Sequence, residues 1–233
     1  RTDKLAAEQA ESETTEHKAL GFVSVAAGSG NAKILESLGV DVVVSGGQTM
    51  NPSTKDLLDA INSVNADAVI VLPNNSNIIM AANSAADIAD MPCAVVPTKS
   101  VPAAFTALFA ADQEASLEEN VAAMTEALDE VRAGEVTTAV KDAKDAHGGA
   151  ISAGDVIGIA EGNIESVGTS IEDVTLELLK FMEADEADNL TLLAGADYTD
   201  DQLDALVDKV EELYEDLEVD AHRGEQPLYP IIF

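Results

Sequence analysis

Between Ser45 and Thr54 the chain reads Ser-Gly-Gly-Gln-Thr-Met-Asn-Pro-Ser-Thr, where six of the ten residues carry a side chain that can donate or accept a hydrogen bond. Gly46 and Gly47 permit a tight turn, and Ser45, Gln48, Thr49, Asn51, Ser53 and Thr54 supply the polar groups. A second cluster, Asn74-Asn75-Ser76-Asn77, has more amides than the capping of one helix requires. Thr98 with Lys99 makes a third. The chemistry these residues offer is hydrogen bonding to a polar ligand or partner.

Catalytic chemistry has much less support. No Gly-x-Ser-x-Gly elbow raises a hydroxyl on a strained turn, and no Gly-Lys-Ser or Gly-Lys-Thr makes a phosphate loop. His17, His147 and His222 lie far apart and lack metal-ligand spacing. Gly28-Ser29-Gly30-Asn31-Ala32-Lys33 starts like a dinucleotide fingerprint, but Lys33 stands at the place of the third glycine. Ser45 stands where an acidic residue should end the second strand, so the motif reads as a glycine turn from strand into helix. Catalytic residues, a resident metal and a cofactor are therefore not expected in this chain.

Each polar cluster follows an apolar run and precedes a helical pattern. Val40–Val44 reads as a buried strand, and Leu57, Leu58, Ile61 and Val64 recur at helical spacing. The same unit repeats as Gly21–Ala26 with a helix carrying Ile34, Leu35 and Leu38, as Ala68–Leu72 with helix Ile78–Ala89, and as Cys93–Val96 with helix Val101–Phe109. Such alternation predicts a parallel sheet covered by helices on both faces, with all the loops on its carboxyl edge, where ligands bind in open α/β sheets.

After a hinge at Ala110–Ala115 the pattern changes. Ser116 caps a helix, with Glu119 completing a capping box, and Gly134 stops it. Val136–Val140 reads as a strand and Lys141–Gly149 as a polar connection. Val156–Ile159 and Ile164–Val167 form a hairpin around Glu161-Gly162-Asn163. A helix opens at Ser170 and another spans Thr199–Leu213, with strands at Leu190–Leu193 and Leu217–Val219. His222–Pro227 reads as a loop before a last strand, Leu228–Phe233. The organisation predicted is a tether over residues 1–20, an α/β lobe with a parallel sheet over 21–112, and an α+β lobe with a mixed sheet over 113–233.

Lys+Arg of 12 against Asp+Glu of 44 leaves a net charge of −32, which opposes nucleic acid and anionic membranes as partners. The 46% hydrophobic content supports a core, and with aromatics at 3% that core must be built of Val, Ile, Leu and Ala. The single cysteine, Cys93, lies in an apolar strand and reads as a buried, inert thiol in a reducing compartment. No apolar run reaches the length of a transmembrane segment and no signal peptide opens the chain, so the expected location is cytoplasmic. Because residue 1 is Arg, the chain reads as a piece of a longer protein.

Ser45–Thr54, Leu72-Pro73-Asn74-Asn75 with Asn77-Ile78-Ile79-Met80-Ala81-Ala82, Val96-Pro97-Thr98-Lys99, and Gln226-Pro227-Leu228-Tyr229-Pro230 carry a resemblance. Together they resemble the carboxyl-terminal region of the ATP-binding component of bacterial fatty-acid kinase. That family is also labelled dihydroxyacetone kinase-like or DAK phosphatase-like. The resemblance runs from about Gly21 to the end. It implies a two-lobed, DegV-like architecture and a longer protein with an upstream kinase domain, which binds ATP and magnesium, and a middle domain. It also implies a separate DegV-like carrier that presents a fatty-acid carboxylate for phosphorylation. Gly46-Gly47-Gln48-Thr49 with Pro52-Ser53 looks like the counterpart of a ligand loop in such carriers. His222, Arg223 and Gln226 join the candidate residues through the terminal motif, although Glu225, where family members often have glycine, disfavours an anion there.

The function implied is a non-catalytic domain that docks or regulates the DegV-like fatty-acid carrier, with a homodimer as a further candidate assembly. The alternative is a small-ligand domain holding a fatty acid or phosphorylated compound near Thr49, Ser53 and Lys99. A third reading, phosphatase or glycerone kinase, lacks a catalytic constellation.

Overall fold

Apolar runs form the first sheet because strands covered on both faces must be apolar on both faces. The computed structural model describes residues 17–46 and 51–233. By internal contacts it divides into one unit comprising the chain to Ala26 and Leu35–Asp129, and a second comprising Ala27–Ile34 and Glu130–Phe233.

In the first unit, β1 (Lys18–Ala26), β2 (Val42–Ser45), β3 (Ala66–Leu72) and β4 (Cys93–Val95) pair in parallel, in the order β2-β1-β3-β4. Helices α2 (Thr54–Ser63), α3 (Ile79–Asp87), α4 (Val101–Phe109) and α5 (Leu117–Ala127) connect and follow them, while α1 (Ser29–Ser37) is divided between the two units at Ile34. Val23, Val25, Val69 and Val71 pack on one face against Leu57 and Ile61 of α2 and Ala82 and Ala85 of α3. Each fully buried Leu or Ile there contributes about 1.5–3 kcal/mol, and the alanines let α3 approach closely. The alternate residues Phe22, Ile70 and Leu72 are equally buried, so the sheet is covered on both faces.

β1 begins before its neighbour β2, and side chains cover the edge left open. Gln113 accepts from Leu20 N–H at 3.1 Å and donates to Leu20 O at 2.8 Å, in the manner of a strand partner. Asp41 accepts from Phe22 N–H at 2.8 Å.

The second unit carries a mixed sheet in the order β11-β10-β12-β5-β8-β9. Its strands are β5 (Gly134–Thr138), β8 (Val156–Ala160), β9 (Asn163–Gly168), β10 (Asn189–Ala194), β11 (Glu218–Arg223) and β12 (Ile231–Ile232). Helices α6 (Ile171–Phe181) and α7 (Asp200–Leu213) cover one face, where Val174, Leu178, Leu206 and Val210 meet Val136, Leu192, Ala194 and Ile231. The hairpin turns at Glu161 and Gly162, with φ of 49° and 84°, the left-handed pair that matches strand twist.

The α/β class, with one parallel and one mixed sheet, is therefore as the sequence predicts. Some boundaries differ. Lys18–Leu20, read as tether, belongs to β1, because Ala66 and Ala68 of β3 give that stretch a partner. Residues 1–16 lie outside the described residues. The polar connection Lys141–Gly149 contains β6 (Ala143–Lys144), which pairs with β7 (Ala150–Ile151). His222 and Arg223, read as loop, close β11, since pairing with β10 outweighs their polar character. Ser116 caps α5 by accepting from Glu119 N–H at 3.1 Å, but only this half of the expected box forms. The sequence puts a hinge at Ala110–Ala115, whereas the unit boundary follows Asp129, because α5 packs on α4, β3 and β4.

Candidate functional site

In the first unit, the loops after β2, β3 and β4 all leave the carboxyl edge of the sheet, because the strands are parallel. Ser45 is exposed at the end of β2, and Gly46 is buried, donating to Ala26 O at 3.2 Å. Gly47, Gln48 and Thr49 lie outside the described residues. Asn51 is exposed and Ser53 caps α2, with Thr54 as its first residue. The Ser53 hydroxyl accepts from Asp56 N–H at 3.0 Å, and the Asp56 carboxylate accepts from Ser53 N–H at 3.1 Å. Hydrogen bonds from the Ser53 backbone and then its side chain hold the Asp56 carboxyl below its usual pKa. A carboxylate therefore already stands at the helix amino terminus, where a free anion would otherwise be attracted.

The second cluster is partly a brace. Asn74 is left-handed, with φ of 60°, and its amide nitrogen donates to Ser24 Oγ and to Val25 O, both at 2.8 Å. Its N–H donates to Thr98 Oγ1 at 3.0 Å, and the Thr98 hydroxyl donates to Asn74 Oδ1 at 2.7 Å. Ser24 in turn donates to Leu72 O at 3.0 Å. Ser24 and Thr98 are fully buried and Asn74 is 9% exposed, so this network ties together the ends of β1, β3 and β4 and holds the loops in place. Asn75 accepts from Asn77 N–H at 2.9 Å, an Asx turn that starts the approach to α3. Asn77 and Lys99 are exposed, and Asn75 is half-buried. Ser24 is the member that the sequence reading missed. Its signal is a lone hydroxyl in an otherwise apolar strand, which must find a partner when buried.

The remaining candidates belong to the second unit. The Arg223 guanidinium is spent on internal partners. It donates to Tyr198 O at 2.7 Å, Gly195 O at 2.8 Å and Asp200 Oδ1 at 2.9 Å, and also to Glu225. His222 Nε2 lies 2.8 Å from Asp220 Oδ2. Gln226 is 1% exposed and donates to Leu193 O at 2.9 Å and Tyr229 O at 3.0 Å, while accepting from Asn31 at 3.2 Å. Arg223 and Gln226 are thus occupied in holding the carboxyl-terminal loop.

Gly28 and Gly30 find their reason in the same place. A Cβ on Gly30 would fall 1.7 Å from Arg223 O, and one on Gly28 would fall 2.3 Å from Gly224 O. Asn31 N–H donates to Gly224 O at 3.0 Å. The Gly-Ser-Gly-Asn motif is therefore a docking seat for the 223–226 backbone.

Elsewhere, burial pushes the Cys93 thiol up to about 11, so it carries almost no thiolate at neutral pH. Among the described residues no group of His, Cys, Asp and Glu is placed to hold a metal ion, and no helix is long and apolar enough to cross a membrane.

The FakA-like C-terminal family of fatty acid kinase matches residues 21–233. The chain belongs to this family. Protein YloV of Bacillus subtilis (strain 168) is 44% identical over 214 residues, 91% of this chain and 38% of the relative. The chain thus spans 38–40% of the length of curated relatives such as this one and SH1689 of Staphylococcus haemolyticus. Among solved structures, protein TM841 of Thermotoga maritima, described as having a fatty acid binding function, superposes with a TM-score of 0.64 at 13% identity, covering 93% of this chain and 98% of that one. The Fak B3 protein of Streptococcus pneumoniae, solved with linoleic acid, gives 0.57 at 12% identity, covering 88% and 92%. The fold of this family member is DegV-like, since DegV of Bacillus subtilis superposes with a TM-score of 0.62 at 11% identity, covering 92% of this chain and 98% of that one.

Proposed function

We propose that this chain is the non-catalytic, carboxyl-terminal domain of a longer fatty-acid kinase protein, and that it recognises a DegV-like carrier loaded with fatty acid. The observation that supports this most is the family match over 21–233 on a fold shared with fatty-acid-binding proteins. In this reading Ser45, Asn51, Ser53, Asn75, Asn77 and Lys99 form the recognition surface at the sheet edge. Asn74 and Thr98 hold that surface in shape. ATP and magnesium belong to the upstream kinase domain. Protein recognition suits a polar surface whose helix terminus already carries Asp56.

Binding of the longer kinase protein to its carrier, measured by calorimetry, tests the proposal. Replacing Asn75, Asn77 and Lys99 together by alanine is expected to weaken binding about tenfold or more, since truncated interface residues that matter cost above about 1 kcal/mol each. Unchanged affinity would overturn it.

A second reading, that the domain itself holds a fatty acid, is favoured by what TM841 and Fak B3 are described as binding. Solvent extraction of the purified chain and mass spectrometry separate the two. Lipid recovered at one equivalent supports the second reading, and none supports the first.

A further inference from the structure

The two sides of the parallel sheet are finished differently. Where β1 projects past β2, Gln113 and Asp41 satisfy its exposed backbone. Nothing among the described residues does this for β4. Its pairing with β3 sets Val69 opposite Cys93 and Val71 opposite Val95. Val69 N–H donates to Pro92 O at 3.0 Å and Val96 N–H donates to Val71 O at 3.1 Å. In a parallel ladder alternate residues turn their backbone groups to the same side, so Pro92, Ala94 and Val96 face β3 while Cys93 and Val95 face outward. The N–H and C=O of Cys93 and Val95 have no partner among the described residues. An edge of this kind is a template for another strand.

A groove of about 630 Å³ runs between this edge and α5. Leu117, Val121 and Thr125, one helical face at spacings of four, line it with Ala94 as its apolar side. Leu117 and Val121 are half-buried, so part of each apolar surface remains open. Glu118, Glu126 and Asp129 stand around it, and no basic residue lines it. A second copy of this chain would bring the same three carboxylates and a net charge of −32 against them. A segment carrying Lys or Arg would instead be attracted.

We propose that the outer edge of β4 and the adjoining face of α5 dock an extended, Lys- or Arg-bearing segment of another protein, which adds a strand to the parallel sheet. Main-chain bonds to Cys93 and Val95 hold the segment, one or two of its apolar side chains cover Leu117 and Val121, and its basic side chains meet Glu118, Glu126 and Asp129. About five residues suffice at about 3.3 Å each. The surface uses none of the loop residues assigned to carrier recognition, so the two proposals fail separately.

The test titrates ¹⁵N-labelled chain with an acetylated, amidated heptapeptide, Lys-Thr-Val-Thr-Lys-Thr-Val, whose Lys and Val side chains alternate along one face of the strand. Expected are shifts at Cys93, Val95, Leu117 and Val121, amide exchange at Cys93 and Val95 slowed at least about tenfold, and about tenfold weaker binding of the Glu–Val counterpart. Val95→Pro removes an outward N–H without removing a ladder bond and is expected to abolish binding. Glu118→Lys with Glu126→Lys, at exposed helix positions, is expected to reverse the preference between peptides, and it carries the test if the proline variant misfolds. Shifts confined to other surfaces, equal binding of both peptides, or no binding would overturn the proposal. So would a dimer in sedimentation that Val95→Pro dissociates, since that gives the edge to a second copy.

Discussion

Asn74 shows how a residue that looks like a ligand contact becomes a structural brace. Its left-handed backbone suits Asn better than most side chains, and its amide reaches two neighbouring strands at once. Asn74→Ala should therefore lower unfolding free energy by about 3 kcal/mol in urea titration, combining buried groups left unpaired with left-handed strain. Asn74→Gly loses the same bonds without the strain and should be milder by about 1 kcal/mol. Glu135, on β5, makes the opposite case. Burial raises its carboxyl pKa, so its ionisation disfavours the folded state. Between the unfolded pKa and the raised folded one, the native chain keeps a proton that the unfolded chain has lost, and stability falls as pH rises through that window. Glu135→Gln should be more stable than wild type at pH 7, and the gain should vanish below the unfolded pKa. Urea midpoints measured across that range check it.

At the scale of elements, caps and close approaches decide the geometry. Ser53 with Asp56 and Thr199 with Gln202 form complete capping boxes, which fix where α2 and α7 begin. Ser53→Ala should cost about 1 kcal/mol in urea titration. The start of α1 depends on having no side chain at Gly30, since Arg223 O occupies the space. Gly30→Ala should cost about 1–3 kcal/mol, by forcing the 223–226 backbone away, and should disturb the amide signals of Gly224 and Asn31. Gly39→Ala, with open space around it but φ of 108°, should cost stability without touching those signals.

For the whole molecule, charge dominates the solution behaviour. A net charge of −32 makes the folded chain repel itself, so raising sodium chloride from about 0.05 to 1 M should raise the thermal midpoint by a few degrees, read by circular dichroism. Most strands and helices were legible in residue order, because apolar period, caps and glycine stops act over a few residues; α4 over Val101–Phe109 and the Glu161-Gly162 turn are examples. The candidate site was legible as polar clusters at the ends of strands, but not as roles. Asn74, Asn75 and Asn77 look alike in sequence, yet only Asn74 is buried with Ser24 and Thr98, and Arg223, a candidate binding residue in sequence, is engaged by Tyr198, Gly195, Asp200 and Glu225. By itself the sequence determined the α/β class, the strand-loop-helix repeat, the acidic surface and the family likeness, all of which depend on local pattern or composition. Only the tertiary structure decided which polar groups are consumed within the fold, why Gly28 and Gly30 must be glycine, and that no described residue pairs with the outer edge of β4, because each depends on partners brought together from distant parts of the chain.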